Sequence, residues 1–289
     1  MSGAAETVAP ARRPPGIGRV LRRTPARIGL GITLLFLVLT VAAGLLAPYD
    51  PYDQDLSAAL SPPSVDHWFG ADQYGRDMLS RVMHGTRTAL LAVVVADGIA
   101  LVLGCAMGLI AGFFGGRVDA VVMRLVDVLL AFPYLLLALI IVAALGPGLT
   151  NSMIAIGIVY TPQYARLIRG QVLAVRNADY VRAARAIGAS RVRIMLRHVL
   201  PNSFTPILVM ATLQAGSVIV ETAGLSFLGL GAQPPSPDWG ALLADGQGYF
   251  LTAWWIATFP GLAIFVVVIG FNLLGDALRD AADPRRTPR

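Results

Sequence analysis

The chain has 289 residues, of which 56% are hydrophobic and 14% are charged, and its mean hydropathy is +0.67. Soluble domains carry about 25% charged residues, so this composition excludes a single water-soluble domain and predicts an integral membrane protein. All 23 basic residues are arginines, and a chain without lysine cannot contain a Walker A loop or form a lysine Schiff base.

The few cysteine and histidine residues bear on redox and metal chemistry. Cys105 is the single cysteine, and His67, His84 and His198 are scattered along the chain. A disulfide within the chain is therefore excluded, and the spacing does not match a Cys/His zinc site. The sequence predicts neither a bound metal nor a cofactor in this chain.

Six runs of the sequence are predicted to be membrane-spanning helices. In chain order they are residues 28–47, 88–112, 128–146, 149–165, 206–230 and 252–275. The first run is longer than the roughly 7 to 15 apolar residues of a signal peptide, so we expect an uncleaved anchor. The fourth run is short and contains Asn151 and Pro162. The predicted fold class is an all-α membrane protein with six transmembrane helices.

The arginines predict how these spans are oriented. Six spans leave both termini on one side of the membrane, and 20 of the 23 arginines fall on that side. The opposite side has three, Arg76, Arg81 and Arg87. Because positively charged loops stay in the cytoplasm, we expect cytoplasmic termini. The same asymmetry explains the net charge of +6 without a nucleic-acid partner.

This topology divides the chain into five parts. They are a cytoplasmic N-terminal tail (1–27), a first transmembrane anchor (28–47), a periplasmic or extracellular segment (48–87), a five-helix core (88–275) and a cytoplasmic C-terminal tail (276–289). The core contains a cytoplasmic loop, residues 166–205, which we call the long loop.

Two packing features are predicted from residue spacing. Gly104, Gly108 and Gly112 recur every four residues and share one helix face, which predicts the close approach of another helix. Arg124 and Asp127 are three residues apart at the end of the third span and are predicted to form an ion pair.

The long loop exceeds what a connection between two neighbouring spans needs. Asn177 or Asp179 can cap a first helix, and Gly188 can end it in a left-handed conformation. Ser190 can cap a second helix, which Pro201 brings to its end. The loop is therefore predicted to be a helix, a glycine corner and a second helix. Such a pair serves either as an interfacial element on anionic lipid or as a docking element for a separate cytoplasmic protein.

The long loop resembles the EAA loop of ABC importer permeases. The matching positions are Arg182-Ala183-Ala184, Gly188 and Leu200-Pro201. Arg182 stands where the family has glutamate, and His198 stands where it has isoleucine, so the family's contact at the glutamate does not carry over. The resemblance implies an ATPase-coupling site formed by Arg182, Ala183, Ala184, Gly188, Ala189, Leu200 and Pro201.

Three further segments resemble the dipeptide, oligopeptide and nickel permeases. Residues 69–81 contain the Gly-Ala-Asp and Gly-Arg-Asp triplets before the second span. Residues 223–231 are followed by Gln-Pro-Pro and Trp-Gly, and residues 271–276 close the last span. The extra first span and the outer segment after it resemble the C-type partner of a heterodimeric permease pair.

The resemblance implies the type I permease fold of ABC importers in the inner membrane of a prokaryote. The implied partners are a paralogous permease, two cytoplasmic ATPases that use ATP and Mg²⁺, an external solute-binding protein and membrane lipid. The implied function is peptide import, with nickel chelates or another small solute as alternative cargo. No catalytic residue is predicted, since the chain has neither a Gly-x-Ser-x-Gly nor a His-Glu-x-x-His motif.

Two carboxylates fall inside predicted spans, where a charge needs a partner or water. Glu221 lies about 22 Å along the fifth span, and it is predicted either to line the translocation path or to bond two helices. Asp97 is predicted to be structural or to face water. In an ion-coupled secondary transporter, the alternative class, both would relay protons or bind the coupling ion.

The outer loop 232–250 carries acidic and aromatic residues and no basic one. With the segment 48–87, this loop is predicted either to receive the solute-binding protein, through Asp238 and Trp239, or to be a solvated connection.

Overall fold

The computed structural model describes residues 24–176, 178–201 and 204–282, and within them the regular structure is helical apart from one isolated bridge between Ala71 and Asp77. The all-α fold class is confirmed. The helices are α1 (Thr24–Leu46), α2 (Met78–Ala92), α3 (Gly98–Phe114), α4 (Gly116–Leu130), α5 (Tyr134–Leu145), α6 (Leu149–Val175), α7 (Asp179–Ala186), α8 (Arg191–Ile194), α9 (Phe204–Phe227), α10 (Trp239–Gln247) and α11 (Trp255–Ala282). A 3-10 turn covers Leu56–Ala58, and π-helical turns cover Val93–Asp97 and Met195–Val199.

The second predicted span begins at Met78 rather than at residue 88. Asp77 caps it, because its side chain accepts a hydrogen bond from the Ser80 amide at 2.8 Å. The helix continues through the first π-helical turn into α3 and covers 37 residues in all. The predicted start followed Arg87, the last charged residue before the apolar run, but Arg81 and Arg87 both lie within the helix. The outer loops cover this end of α2 and bury the side chain of Arg81.

The glycine face of α3 packs directly against α6, which confirms the predicted contact face. A Cβ atom added at Gly108 would lie 2.6 Å from the carbonyl oxygen of Ala165, and one at Gly112 would lie 2.8 Å from Cβ of Val172. Gly104 faces the same helix. These distances are too short for a side chain, so glycine is what lets the two backbones approach this closely.

Gly108→Ala is expected to destabilise the protein by about 1 to 3 kcal/mol, because the added methyl group forces α3 away from α6. Gly98→Ala is the matched control, since Gly98 opens the same helix and a Cβ there meets nothing within 4 Å. That exchange is expected to be neutral or slightly stabilising. Thermal unfolding in detergent measures both variants, and equal unfolding temperatures would contradict the close contact.

The third predicted span, residues 128–146, is not one straight helix. α4 and α5 are bent by 94° at a short break. Pro133 precedes α5 and has no amide hydrogen, so α4 cannot continue through it. Within α4 only Val126 is buried, and all of its other apolar side chains are exposed or half-buried.

Two ion pairs hold α4 to α6. Arg169 donates to both carboxylate oxygens of Asp119, at 2.5 and 2.7 Å. Arg166 donates to Asp127 at 2.6 Å. The predicted pair of Arg124 with Asp127 is therefore wrong, because Asp127 turns to the neighbouring helix. Spacing identifies neighbours on one helix but not the arginine that a second helix brings closer.

By length and composition, four helices of the described part could cross a membrane. They are α1, the continuous helix of α2 and α3, α9 and α11, and the bent pair of α4 and α5 makes a fifth if it counts as one span. Composition thus supports four or five spans, against the six predicted. α6 does not qualify, although it has 27 residues, of which 13 are buried inside the protein. Its buried side carries polar residues such as Ser152 and Thr161, which face neighbouring helices rather than lipid and lower its hydropathy.

Several helices end at other residues than predicted, and some predicted features concern residues that the structure does not describe. α6 continues to Val175, so the first part of the long loop is helical, and α11 runs beyond the predicted end at residue 275. Residues 1–23 and 283–289 of the two tails, Asn177 and the side chain of His198 lie outside the described residues.

Candidate functional site

The long loop has the predicted order of helix, glycine corner and helix. Gly188 has a φ of +81°. The amide of Ala189 donates to the carbonyl of Ala184 at 3.0 Å, which is the bond of a Schellman motif at the end of α7. The Ser190 hydroxyl caps α8 by accepting a hydrogen bond from the Arg193 amide at 3.3 Å. Asp179, one of the two predicted caps, is the first residue of α7, so it lies within the first turn instead of preceding it.

An apolar inner face anchors the long loop to the helices. Its buried members are Val181, Ala184, Ile194 and Val199. They form one cluster with Leu109 of α3, Ile168 and Val172 of α6, and Ile207 of α9. Ala189 and Leu200 are half-buried against the same cluster. The loop is therefore packed onto three of the long helices and can move only with them.

The other face of the long loop is exposed and partly apolar. Ile187 is 85% exposed, and Val192 and Leu196 are exposed as well. Arg182 lies on this face and donates to the carboxylate of Asp179 at 2.7 Å. Ala183 and Pro201 are also exposed. An exposed apolar surface between arginines is typical of a contact with another protein or a membrane.

A polar strip runs between α6 and α9 and consists of Tyr160, Gln163, Gln214 and Glu221. The Tyr160 hydroxyl donates to Oε1 of Glu221 at 2.7 Å. The Gln214 amide group donates to Oε1 of Gln163 at 2.9 Å. Glu221 and both glutamines are half-buried, so the strip is not sealed inside the protein. Charged groups in spans face water or protein rather than lipid.

Asp97, the other carboxylate within a span, has a different setting. It closes the π-helical turn before α3 and is 7% exposed. Its carboxylate accepts a hydrogen bond from the Tyr164 hydroxyl of α6 at 2.5 Å. This enclosed bond between two helices supports the structural role predicted for Asp97.

The Gly-Ala-Asp-Gln-Tyr-Gly-Arg-Asp segment forms a tight turn outside α2. Oδ1 of Asp72 accepts the amides of Tyr74 and Arg76 at 2.8 and 3.0 Å, and Oδ2 accepts from Nε of Arg76 at 2.6 Å. Gly75 has a φ of +73° and lies against the backbone of Asp55, where a side chain does not fit. One carboxylate and one glycine thus fix the whole turn.

Four charged residues, Asp72, Arg76, Arg81 and Asp245, form what we call the outer cluster. Nε of Arg81 lies 3.5 Å from Oδ2 of Asp72, an ion pair that is not aligned as a hydrogen bond. Nη1 of Arg81 donates to the Pro51 carbonyl at 2.9 Å. Asp245 of α10 lies 4.0 Å from Arg76, and burial raises the pKa of this carboxyl. The outer cluster joins the segment before α2 to the loop that holds α10.

Asp238 and Trp239, predicted to contact a binding protein, are 5% and 3% exposed. Asp238 caps α10 by accepting hydrogen bonds from the Gly240 and Ala241 amides, and burial raises the pKa of its carboxyl. The Trp239 indole donates to the Val82 carbonyl at 2.9 Å. In this conformation both side chains are buried, so an external protein would contact the residues around them instead.

Two groups were not predicted from the sequence: the partners of Glu221 in the polar strip, and the outer cluster. Gln214 and Glu221 are seven residues apart and share one helix face, so their polarity within an apolar span was a usable signal. Nothing in the sequence, however, pairs them with Gln163 and Tyr160 of another helix. Likewise, nothing in the sequence pairs Asp245 of the outer cluster with Asp72, Arg76 and Arg81, which are far from it in the chain.

Two family models match this chain. Residues 104–288 match the binding-protein-dependent transport system inner membrane component, and residues 17–63 match the N-terminal transmembrane domain of oligopeptide transport permease C.

Three curated proteins illustrate the similarity. The probable D,D-dipeptide transport system permease protein DdpC of Escherichia coli is 48% identical over 254 residues, which is 88% of this chain and 85% of that protein. The dipeptide transport system permease protein DppC of Alkalihalophilus pseudofirmus is 45% identical over 90% of this chain and 86% of its own length. The glutathione transport system permease protein GsiD of Pectobacterium atrosepticum is 42% identical over 92% of this chain and 89% of its own length.

The fold is also similar to that of a solved structure. A chain of the methionine ABC transporter MetNI, in an inward-facing conformation, superposes with a TM-score of 0.59 and covers 72% of this chain and 98% of its own. The two sequences are 18% identical, so the likeness is one of fold. The permease fold is thereby confirmed.

Proposed function

The chain belongs to the inner membrane components of binding-protein-dependent transport systems, in the group with the oligopeptide permease C domain, and on this premise we propose that it forms half of the pore of an ATP-driven importer of short peptides. The observation that carries the proposal is its 48% identity, over 254 residues, to a D,D-dipeptide permease. Other relatives are named for dipeptides and for glutathione. Like a D,D-dipeptide, these compounds consist of two or three amino acids joined by amide bonds.

In the proposed topology the chain crosses the membrane six times, with both termini in the cytoplasm. The bent pair of α4 and α5 is the third span, and α6 is the fourth. Its 27 residues extend over about 40 Å, enough to cross a bilayer. The concentration of arginines on one side supports this orientation.

The long loop is proposed to dock into a cytoplasmic ATPase through its exposed face. Arg182, Ala183 and Ile187 would meet the ATPase, while Ala184, Gly188, Ala189 and Leu200 hold the loop to the spans and Pro201 ends it. Because the inner face is packed on α3, α6 and α9, a push on the loop would be transmitted directly to those helices. ATP and Mg²⁺ would be bound by two such ATPases and not by this chain.

The polar strip between α6 and α9 is proposed to line the translocation path, with Glu221 as its charged member. A paralogous permease would supply the facing wall. Half-buried glutamine and glutamate side chains support this placement, because they cannot face lipid without a large cost.

The outer segments are proposed to receive the solute-binding protein. Val65 and Trp68 are the exposed apolar residues that stand out in the segment before α2. Asp238 and Trp239 would act beneath that surface by holding α10 against α2.

Peptide uptake by the reconstituted complex tests the proposed function. Proteoliposomes that contain this permease, its partner subunits and internal ATP are expected to accumulate dipeptides when the binding protein is added outside. The uptake should continue in the presence of a protonophore. Uptake that collapses with the protonophore at constant ATP would instead support an ion-coupled transporter, and uptake of glutathione alone would change the proposed cargo.

A further inference from the structure

Among the residues that the structure describes, no arginine pairs with the carboxylate of Glu221. α5 and α9 contain no arginine, and in α6 the first is Arg166, which pairs with Asp127 of α4. The partner of Glu221 is instead the neutral phenol of Tyr160. A charge inside a span is stabilised by an opposite charge, by hydrogen bonds or by water, and here one hydrogen bond comes from within the described part of the chain.

The two oxygens of the Glu221 carboxylate have unequal surroundings. Oε1 accepts the Tyr160 hydroxyl at 2.7 Å. Oε2 is covered, and no donor in residues 24–176, 178–201 or 204–282 reaches it. A covered acceptor without a donor is unfavourable, so a visiting donor would be bound well once the side chain turns to meet it.

An aromatic ring packs on the hydrogen-bond partner of this carboxylate. Tyr134 of α5 is stacked on Tyr160, with ring centroids 6.0 Å apart and an interplanar angle of 15°. Tyr134 is 41% exposed, so part of its ring is uncovered in this structure. The face of an aromatic ring attracts an ammonium group, and so does a carboxylate.

There is open space on the face of α9 that carries Glu221. Gly224 lies one turn from Glu221 on the same face of α9, and a Cβ added there meets nothing within 4 Å. Asp97 has no such space, because it is enclosed between two helices and bonded to Tyr164. Of the two carboxylates in the spans, Glu221 alone is placed to meet a ligand.

From these observations we infer that Glu221 binds the α-ammonium group of a peptide as it passes along the translocation path. The inference rests on the proposed function, since it names the chemistry that the polar strip recognises. The Glu221 side chain turns to uncover its carboxylate, the ammonium group donates to Oε2, and the ring of Tyr134 lies against the ammonium group. A peptide whose amino terminus is blocked has no charge to offer and passes without this contact.

The test compares two probes, Ala-Ala and N-acetyl-Ala-Ala, in proteoliposomes that contain the full complex, the binding protein and internal ATP. E221Q keeps an acceptor for the Tyr160 hydroxyl but removes the charge, and it is expected to lower Ala-Ala uptake about tenfold. Uptake of the acetylated probe should not change. E221D retains the charge and should recover part of the loss. D97N is the control that removes the other carboxylate, and it should leave the ratio of the two probes unchanged.

Two results would overturn the inference: unchanged Ala-Ala uptake in E221Q, or an equal loss of both probes, which a merely structural role would produce. If wild type carries no acetylated probe, a loss in E221Q that E221D partly restores supports the inference, and the same loss in both variants contradicts it. Absence of ATP-driven Ala-Ala uptake in wild type would overturn the proposed function itself, and the inference with it.

Discussion

Gly188→Val is expected to lower ATP-driven peptide uptake about 30-fold, while the amount of protein in the membrane stays unchanged. Gly188 has a φ of +81°. A residue with an ordinary side chain adopts this angle at a cost of about 1 to 2 kcal/mol. A β-branched residue adopts it least readily. A cost of about 2 kcal/mol corresponds to a factor of roughly 30 in an equilibrium. Valine is therefore expected to populate a different corner and to turn α8 away from its docked position. Uptake assays and immunoblots of the membrane fraction measure the two quantities.

Gly188→Asn is the matched control, because asparagine tolerates the left-handed conformation better than any β-branched residue. A Cβ at Gly188 meets nothing within 4 Å, so neither variant is strained by contact. The asparagine variant should therefore keep most of the uptake. Wild-type uptake in the valine variant would contradict a coupling role for this corner, and equal losses in both variants would show that conformation is not the cause.

Asp72→Asn is expected to lower the free energy of unfolding by about 3 to 5 kcal/mol. Asp72, Arg76 and Arg81 are all buried, and Asp72 is the carboxylate closest to both arginines. Asparagine preserves the size of the side chain but removes its charge, which leaves two buried guanidinium groups with Asp245 as their remaining counter-charge. Unfolding by denaturant in detergent measures the loss.

Asp53→Asn makes the same chemical change at an exposed position of the same outer segment. It is expected to alter stability by no more than about 0.5 kcal/mol. A loss in Asp72→Asn as small as that of the control would mean that the outer cluster does not hold the two outer segments together.

The features that the sequence predicted correctly depend on local signals. The corner of the long loop follows from one glycine and the Ser190 cap, which act within a few residues. The glycine face of α3 follows from a repeat of four on a helix, whatever the partner. The segment 69–81, one of the three that resemble the family, is also explained by local contacts, because the turn at Asp72 and Gly75 depends on these two residue types.

The features that the sequence did not predict depend on neighbours that are distant in the chain. The start of α2 was placed after Arg87, because the distant carbonyls that accept from Arg81 and Arg87, those of Pro51 and Thr40, cannot be identified from the sequence. α6 looked short because hydropathy describes contact with lipid, and 13 of its 27 residues, several of them polar, are buried against other helices. Asp127 was paired with the arginine on its own helix, although Arg166 of α6 is the one that binds it.

The membership of this chain in a multi-subunit importer is tested most directly by what it retains on purification. The tagged chain would be extracted from its native membrane in mild detergent, and the copurifying proteins would be identified by mass spectrometry. We expect a second, related permease and ATPases with P-loops. Recovery of this chain alone, from a preparation shown to preserve known complexes, would contradict the account and favour an ion-coupled transporter that works through Asp97 and Glu221.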